Sequence, residues 1–140
     1  KGVVWDWPTR TRLRTFEIPM HPRRPEGPLS WCVLAGGARA AVSSRLPVVE
    51  IVCLRTAARI ARRALPSPVT ALASAPGGRW FAIACEDGAV IAVDAAGVQL
   101  GVWVFEARVR QLHPSDEGVL HVRSAAGVIH GLELAVPPDA

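Results

Sequence analysis

Residues 74–94, SAPGGRWFAIACEDGAVIAVD, contain two short apolar segments, and a glycine-containing turn precedes each of them. The first segment, Trp80–Cys85, is apolar at every position, which is typical of a strand that is covered on both faces. Asp87 and Gly88 separate it from Ala89–Asp94 and suit a tight hairpin, because glycine accepts the positive φ that such turns require. The stretch therefore predicts two antiparallel strands inside a stack of sheets.

The same pattern recurs along the chain with a period near 40 residues. Residues 36–53 align with residues 77–94 at an offset of 41 without a gap. In a third copy, residues 117–120 align with residues 77–80 at an offset of 40, and residues 127–129 align with residues 88–90 at an offset of 39. A partial copy opens the chain, where residues 3–6 align with residues 50–53 at an offset of 47. Turn signals recur about every ten residues, which leaves no room for a helical stripe, so this period favours four-stranded propeller blades over helical pairs.

The repeat register predicts the strands and the blade boundaries. In the central unit we expect strands over residues 69–74, 79–85, 89–94 and 99–105, and in the preceding unit we expect residues 54–64 to be mostly strand despite their Ala- and Arg-rich, helix-like composition. The predicted fold class is all-β: antiparallel four-stranded β-propeller blades, about three and a quarter of them, forming an incomplete propeller over residues 1–140. Its parts are the end of one blade (1–18), a Pro-rich loop (19–28), two blades (29–65 and 69–105) and the start of another (109–134).

These residues resemble the WD-repeat family. The order of elements is similar to that of a WD-repeat blade: a turn such as Pro76-Gly77-Gly78, an apolar strand, an Asp-Gly turn and a strand ending in Asp94. In addition, Trp5-Asp6 is similar to the terminal Trp-Asp pair of that family. The chain departs from the family in lacking a Gly-His pair before the first strand of each blade, so the resemblance does not imply the family's buried His/Asp network. It implies a divergent, partial propeller that acts as a binding module, similar to those of large bacterial signalling or conflict-response proteins.

An incomplete propeller needs further blades. Closed propellers have about 4–8 blades, and an open arc is expected to expose two large apolar sheet faces, which soluble proteins avoid. We therefore expect further blades from the same chain or a second chain, with self-association as one possibility. The charge distribution suits head-to-tail pairing of arcs, since residues 1–65 hold 12 basic and 4 acidic residues and residues 66–140 hold 4 basic and 8 acidic residues.

Composition and sequence patterns indicate the cellular compartment and the source of the protein. Half of the 140 residues are hydrophobic, yet no apolar run approaches the ~20 residues of a membrane span, and no stretch has the order of a signal peptide. The three cysteines lie in apolar runs without a CxxC pair, which favours a reduced, cytoplasmic protein with buried thiols. Fifteen arginines against one lysine, with abundant Ala, Gly, Pro and Val, indicate a bacterial source.

The candidate partner-binding residues are basic. Arginines on the last strands of two units form a predicted basic rim for phosphate or an acidic protein, although a solvated edge strand would carry the same charges. The Pro-rich loop carries a further set and is either a contact arm or a linker. The rim set is Arg10, Arg12, Arg14, Arg59, Arg62 and Arg63, and the loop set is His21, Arg23 and Arg24.

No pattern in the sequence predicts chemistry. Nucleophile-elbow, phosphate-loop and metalloprotease motifs do not occur, the histidines lack metal-ligand spacing, and the acidic pairs lie in glycine turns. We therefore expect no catalytic residue, cofactor or metal. His121 and His130 are predicted on adjacent strands. The tryptophans are expected to pack in the core, with Trp7 and Trp103 partly exposed.

The sequence favours a non-catalytic scaffold that mediates protein–protein interaction or sensing within a larger bacterial protein or assembly. The alternative is binding of nucleic acid or another polyanion through the basic rim. An enzyme with its site at the propeller channel rests on fold analogy alone. The predicted partners are proteins or further blades, with nucleic acid less favoured and no membrane.

Overall fold

A computed structural model describes residues 2–6, 11–16, 30–43 and 46–134, the first two ranges as backbone only. Apart from the short 3-10 turn Ala35–Gly37, its regular elements are strands. β1 and β2 form a hairpin, β3–β6 the first four-stranded sheet, β7–β10 the second, and β11–β13 a three-stranded third sheet. The strands are β1 Gly2–Asp6, β2 Thr11–Phe16, β3 Ser30–Leu34, β4 Arg39–Ser43, β5 Val48–Cys53, β6 Arg59–Ala64, β7 Val69–Ser74, β8 Trp80–Cys85, β9 Ala89–Asp94, β10 Gln99–Val104, β11 Val109–Pro114, β12 Val119–Ser124 and β13 Ile129–Glu133.

The predicted all-β class and antiparallel four-stranded sheets are confirmed. Within each sheet, strands that are consecutive in sequence pair antiparallel. The strands of the central unit lie within a residue of their predicted bounds. The segment with the helix-like composition is a turn over residues 54–58, followed by strand β6. No helix in the described ranges is long and apolar enough to cross a membrane.

Strand β8 lies between the two neighbouring sheets, as its uniform apolarity predicted. All six of its residues are buried. Phe81 and Ile83 belong to the core shared with the first sheet, whereas Trp80 and Ala82 belong to the core shared with the third sheet. Small residues such as Ala82 occupy the face of β8 that packs against the third sheet.

Hydrogen bonds at the turns join the first sheet to the second and the second sheet to the third. The Ala35 backbone N–H donates to the carbonyl oxygen of Gly78 at 2.7 Å, and the Gly77 N–H donates to Asp116 Oδ1 at 2.7 Å. The indole Nε1–H of Trp80 donates to the Ser115 carbonyl oxygen at 3.0 Å. The turns that connect the first two strands of successive sheets are therefore linked in a row.

Trp31 and Cys53 differ from the sequence prediction. Trp31 lies on β3, the first strand of the first sheet, and is 61% exposed, so its assignment to the core is wrong. Trp80 is fully buried, as expected. Cys53 is half-buried rather than buried, because it stands at the end of β5 where the turn begins.

Candidate interaction surfaces

The antiparallel topology divides the arc into two sides. The segments 65–68 and 105–108 link successive sheets, and they lie on the same side as the β8–β9 and β12–β13 turns. Hydrogen bonds confirm this placement: the Glu86 N–H donates to the Pro68 carbonyl at 2.9 Å, and the Ala125 N–H donates to the Arg108 carbonyl at 2.6 Å. We call this the linker side.

Two arginines of the predicted basic rim are brought together by one carboxylate. Arg59 Nη1 lies 3.3 Å and Arg62 Nη1 lies 3.4 Å from Glu50 Oε1. Glu50 is buried in the middle of the first sheet on β5, directly opposite Arg62 on β6, whereas both arginines remain more than half exposed. The carboxylate neutralises part of the rim charge, and its two partners satisfy it in a partly desolvated position.

Arg63 has a different role from its two neighbours. Its guanidinium donates to the Gly97 carbonyl oxygen at 3.2 Å and to the side-chain oxygen of Gln99. Both acceptors belong to the second sheet, at the turn before β10 and at its first residue. Arg63 therefore joins the outer strands of two sheets, and these donors are not free for a partner.

The other predicted contact residues are placed only in part. Arg12 and Arg14 lie on β2, opposite Trp5 and Val4. Arg10, His21, Arg23 and Arg24 lie outside the described residues. Within the described part, the structure thus brings together Arg59 and Arg62 alone.

A groove on the linker side separates the second and third sheets. Its volume is about 300 Å3, and its lining includes Val104, Phe105, Val128 and His130. The rings of Phe105 and His130 are 5.0 Å apart between centroids and tilted by 49°, a spacing at which aromatic pairs attract. Sequence reasoning missed this groove because its walls come from two different repeats. The only sequence signal for the groove was the apolar character of the end of β10 and of the segment that follows it.

The outer face of the third sheet is polar, contrary to the prediction of apolar faces at both ends of the arc. Cross-strand pairing aligns two rows of exposed residues across β11, β12 and β13. We call these two rows the end face; they are Gln111–Arg123–Ile129 and His113–His121–Gly131.

The pairing of these strands also shows whether His121 and His130, which were predicted on adjacent strands, lie close together. His121 pairs with Gly131, whereas His130 pairs with Val122, whose side chain is buried towards the second sheet. Because side chains alternate between the faces of a sheet, His121 and His130 lie on opposite faces. The cross-strand partner of His121 is His113.

The acidic pairs in the turns have structural roles. Asp87 Oδ1 accepts a hydrogen bond from the Ala89 N–H at 3.0 Å, and Asp116 accepts the inter-sheet bond from Gly77. Asp94 Oδ1 accepts from the N–H groups of Ala96 and Val98 at 2.9 Å each. Such bonds are the ordinary chemistry of Asp in turns. Within the described ranges, no three His, Cys, Asp or Glu residues are arranged to hold a metal ion.

The three thiols differ in environment. Burial raises the pKa of Cys32 to about 12 and the pKa of Cys85 to about 11. The pKa of Cys53 is lowered, chiefly by a hydrogen bond with the Thr56 hydroxyl. Cys53 is therefore the most reactive of the three, since the thiolate is the nucleophilic form.

Known proteins with similar structures place this arrangement of sheets in a fold class. The crystal structure of the Cps50 (Swd1) β-propeller domain of Myceliophteria thermophila superposes with a TM-score of 0.66 and 19% identity, covering 77% of this chain and 34% of that one. The crystal structure of the RRP9 WD40 repeats superposes with a TM-score of 0.66 and 10% identity, covering 76% of this chain and 36% of that one. No family model and no curated protein sequence matches the chain.

The fold is that of a WD-repeat β-propeller, as the sequence resemblance predicted. The chain spans about a third of the length of the solved propellers that it matches. Its three stacked sheets accordingly form a partial propeller.

Proposed function

We propose that the chain is part of a non-catalytic β-propeller scaffold that binds other proteins, and that the linker-side groove is a contact surface. The observation that carries this proposal is the exposure of apolar side chains along the groove. Val104 is 77% exposed and Val128 is 50% exposed, and both line its walls. Exposed apolar side chains grouped beside polar ones are typical of protein interaction sites.

Two contacts hold the Phe105 side of the groove in place. Its floor is anchored by the hydrogen bond from the Phe105 N–H to the Gly88 carbonyl at 2.9 Å and by the contact of Phe105 with His130. Preorganised side chains lose little conformational entropy on binding. Glu106 adds a charged residue to the rim, consistent with the polar margin of an interaction site.

Affinity capture of the intact protein from its own cells tests this proposal. Val104→Glu and Val128→Glu place a carboxylate in the apolar part of the groove, and we expect each to reduce the yield of specific partners about tenfold or more. Val98→Glu is the matched control, because Val98 is also exposed (58%) but precedes β10 on the opposite side of the arc. Equal partner yields from all three variants and the wild type would contradict the groove as a contact surface.

Polyanion binding through the rim is the second candidate, and the exposed guanidinium groups of Arg59 and Arg62 support it. Their shared carboxylate, Glu50, weighs against it because it lowers the local positive charge. The test is the salt dependence of binding to a single-stranded oligonucleotide. An affinity that falls steeply between 50 and 200 mM salt in the wild type, and less steeply in Arg59→Gln, would favour this candidate, whereas a flat dependence would remove it.

A further inference from the structure

We propose that strand β10, at the outer edge of the second sheet, binds an extended apolar segment of a partner protein as an added strand. β10 is the last strand in the order of its sheet. That sheet has four strands, the full number of a propeller blade, and it already packs against a sheet on each side. The inference rests on the proposed scaffold function, since Val104 lies on this edge and also lines the groove.

The backbone of β10 directs hydrogen-bonding groups away from the sheet at two residues. The Phe105 N–H donates to the Gly88 carbonyl oxygen at 2.9 Å, so the backbone groups of Phe105 point towards β9. This direction alternates along the strands of an antiparallel pair, and the register is regular at this end of β10. Trp103 therefore bonds to β9, whereas the N–H and C=O groups of Val102 and Val104 point outward. In the described part of the chain, β9 is the only strand that pairs with β10.

Apolar side chains flank these outward groups on both faces of the strand. Val102 and Val104 are 47% and 77% exposed. They lie on the face towards the first sheet, because their partners on β9 belong to the core shared with that sheet. Trp103 and Phe105 lie on the other face and are half-buried. Cross-strand pairs of apolar residues stabilise a sheet, so an added strand with apolar residues at successive positions would meet apolar neighbours on both faces.

The equivalent strand of the first sheet carries charges where β10 carries none. The repeat aligns β5 with β9 at an offset of 41, and strand pairing then places Arg62 and Arg63 of β6 where β10 has Val102 and Trp103. Charged residues on an outer strand oppose the addition of another strand. The sequence of β10, QLGVWV, contains no charged residue. Of the two four-stranded sheets, the second therefore has the edge that suits strand addition.

Two other occupants fit less well. A second copy that paired antiparallel through the same strand would be related by a two-fold axis perpendicular to the sheet, so the first sheets of both copies would lie on one side of the joined sheets. The two β6 strands, each with Arg59, Arg62 and Arg63, would then come near each other, and like charges weaken association. Nucleic acid requires cations along a phosphate track, which β10 lacks.

Photo-cross-linking of the intact protein in its own cells identifies the added strand. A benzophenone amino acid replaces Val104, and mass spectrometry identifies the linked peptide. We expect a proline-free run of apolar residues from another protein, since a proline could not donate to the new ladder. Val102→Pro removes one outward N–H without removing a bond to β9, and we expect it to reduce the cross-link yield about tenfold, because the facing carbonyl of the partner loses its donor.

Hydrogen exchange then tests the backbone pairing directly. A synthetic peptide with the sequence of the linked segment is added to the intact protein, and exchange is followed for single amides by NMR. We expect the amides of Val102 and Val104 to exchange about tenfold more slowly in the complex, whereas the Trp103 amide is protected by β9 with and without the peptide. A contact through side chains alone would not produce this alternation.

Matched variants separate strand addition from loss of folding. Ala64→Pro is the control for the proline, because Ala64 is exposed on β6 and precedes Leu65, whose N–H donates to the Pro47 carbonyl at 2.9 Å. Ala64 therefore also points its N–H outward, and we expect its variant to leave the yield unchanged. Val102→Thr keeps the N–H and the branched side chain and should give the wild-type yield. Val102→Lys gives β10 a charge without altering its backbone, and we expect about a tenfold lower yield with an unchanged unfolding midpoint.

Several outcomes would overturn the proposal: no cross-link, a link to nucleic acid or to a second copy of this chain, a yield unaffected by both Val102→Pro and Val102→Lys, or unchanged exchange at Val102 and Val104. The groove is tested separately by Val128→Glu, since Val128 lies on the third sheet side of the groove. If Val128→Glu abolished partner capture while the Val102 variants had no effect, the groove would stand and strand addition would fall. The reverse result would support strand addition and remove the groove.

Discussion

Gly88 offers the sharpest test of how the sheets are joined. It lies in the β8–β9 turn with φ +92°, and a Cβ built on it would lie 2.1 Å from the carbonyl oxygen of Phe105 in the sheet-linking segment. Its own carbonyl accepts the Phe105 N–H at 2.9 Å. Gly127 holds the equivalent place in the β12–β13 turn with φ +82°, and a Cβ there would meet nothing within 4 Å.

Comparing alanine variants of the two glycines therefore distinguishes the free-energy cost of backbone strain from the cost of a steric clash. Gly127→Ala costs only the positive φ, about 1–2 kcal/mol for a residue with a Cβ. Gly88→Ala costs the same amount and must also move the Phe105 carbonyl by about 1 Å to reach a tolerable contact. Such a shift would break the hydrogen bond from the Phe105 N–H to the Gly88 carbonyl oxygen, at a cost of roughly 1–3 kcal/mol. We expect Gly88→Ala to destabilise the protein by about 2–5 kcal/mol in total.

Guanidinium unfolding of the intact protein, followed by tryptophan fluorescence, measures both variants against the wild type. We expect the midpoint of Gly88→Ala to fall clearly below that of Gly127→Ala, with unchanged slopes. Equal midpoints for the two variants would refute the reasoning, because the contact with Phe105 would then contribute nothing to the free energy of unfolding.

Three further expectations follow from the buried groups. Trp80→Phe loses the indole bond to Ser115 and leaves a void between the second and third sheets, so it should lower the free energy of unfolding by about 2–4 kcal/mol; an unchanged unfolding midpoint would contradict this. A thiol reagent at pH 8 should modify one cysteine, Cys53, in the folded protein and all three after denaturation, as counted by mass spectrometry; rapid labelling of Cys32 or Cys85 would contradict their burial. Because burial raises the pKa of Cys32 to about 12 and of Cys85 to about 11, the unfolded chain ionises these thiols first, so their contribution to stability is complete below about pH 9 and falls as the pH rises towards 11–12. A Cys32→Ala/Cys85→Ala variant should show a smaller alkaline loss in pH-dependent unfolding, and an identical loss would argue against the assignment.

The strands themselves could be predicted from sequence because their signals are local. The apolar run Trp80–Cys85 and the turn glycines specify strand and turn within a few residues, and the repeat extends the same argument along the chain. Errors at strand ends are small, as for β8, which begins at Trp80 rather than one residue earlier.

The surfaces could be predicted only in part, because they depend on pairs of residues that are distant in sequence. The cluster of arginines on β6 was visible as a basic strand, but Glu50 comes to Arg62 only through the pairing of β5 with β6. Arg63 meets Gly97 and Gln99 only because the first and second sheets pack side by side. No periodicity within one repeat carries that information.

The sequence by itself determined the all-β repeat, the hairpin turns and the need for sheets on both sides of β8. Tertiary structure alone decided which way the third sheet presents its side chains. The offset of 40 over residues 117–120 would align His121 with Phe81 and turn it towards the second sheet, whereas the observed pairing of Val119 with Glu133 aligns His121 with Ala82, on the opposite face. A shift of one residue in the turn exchanges the two faces of a strand, so the polar end face became visible only when the strand register was known.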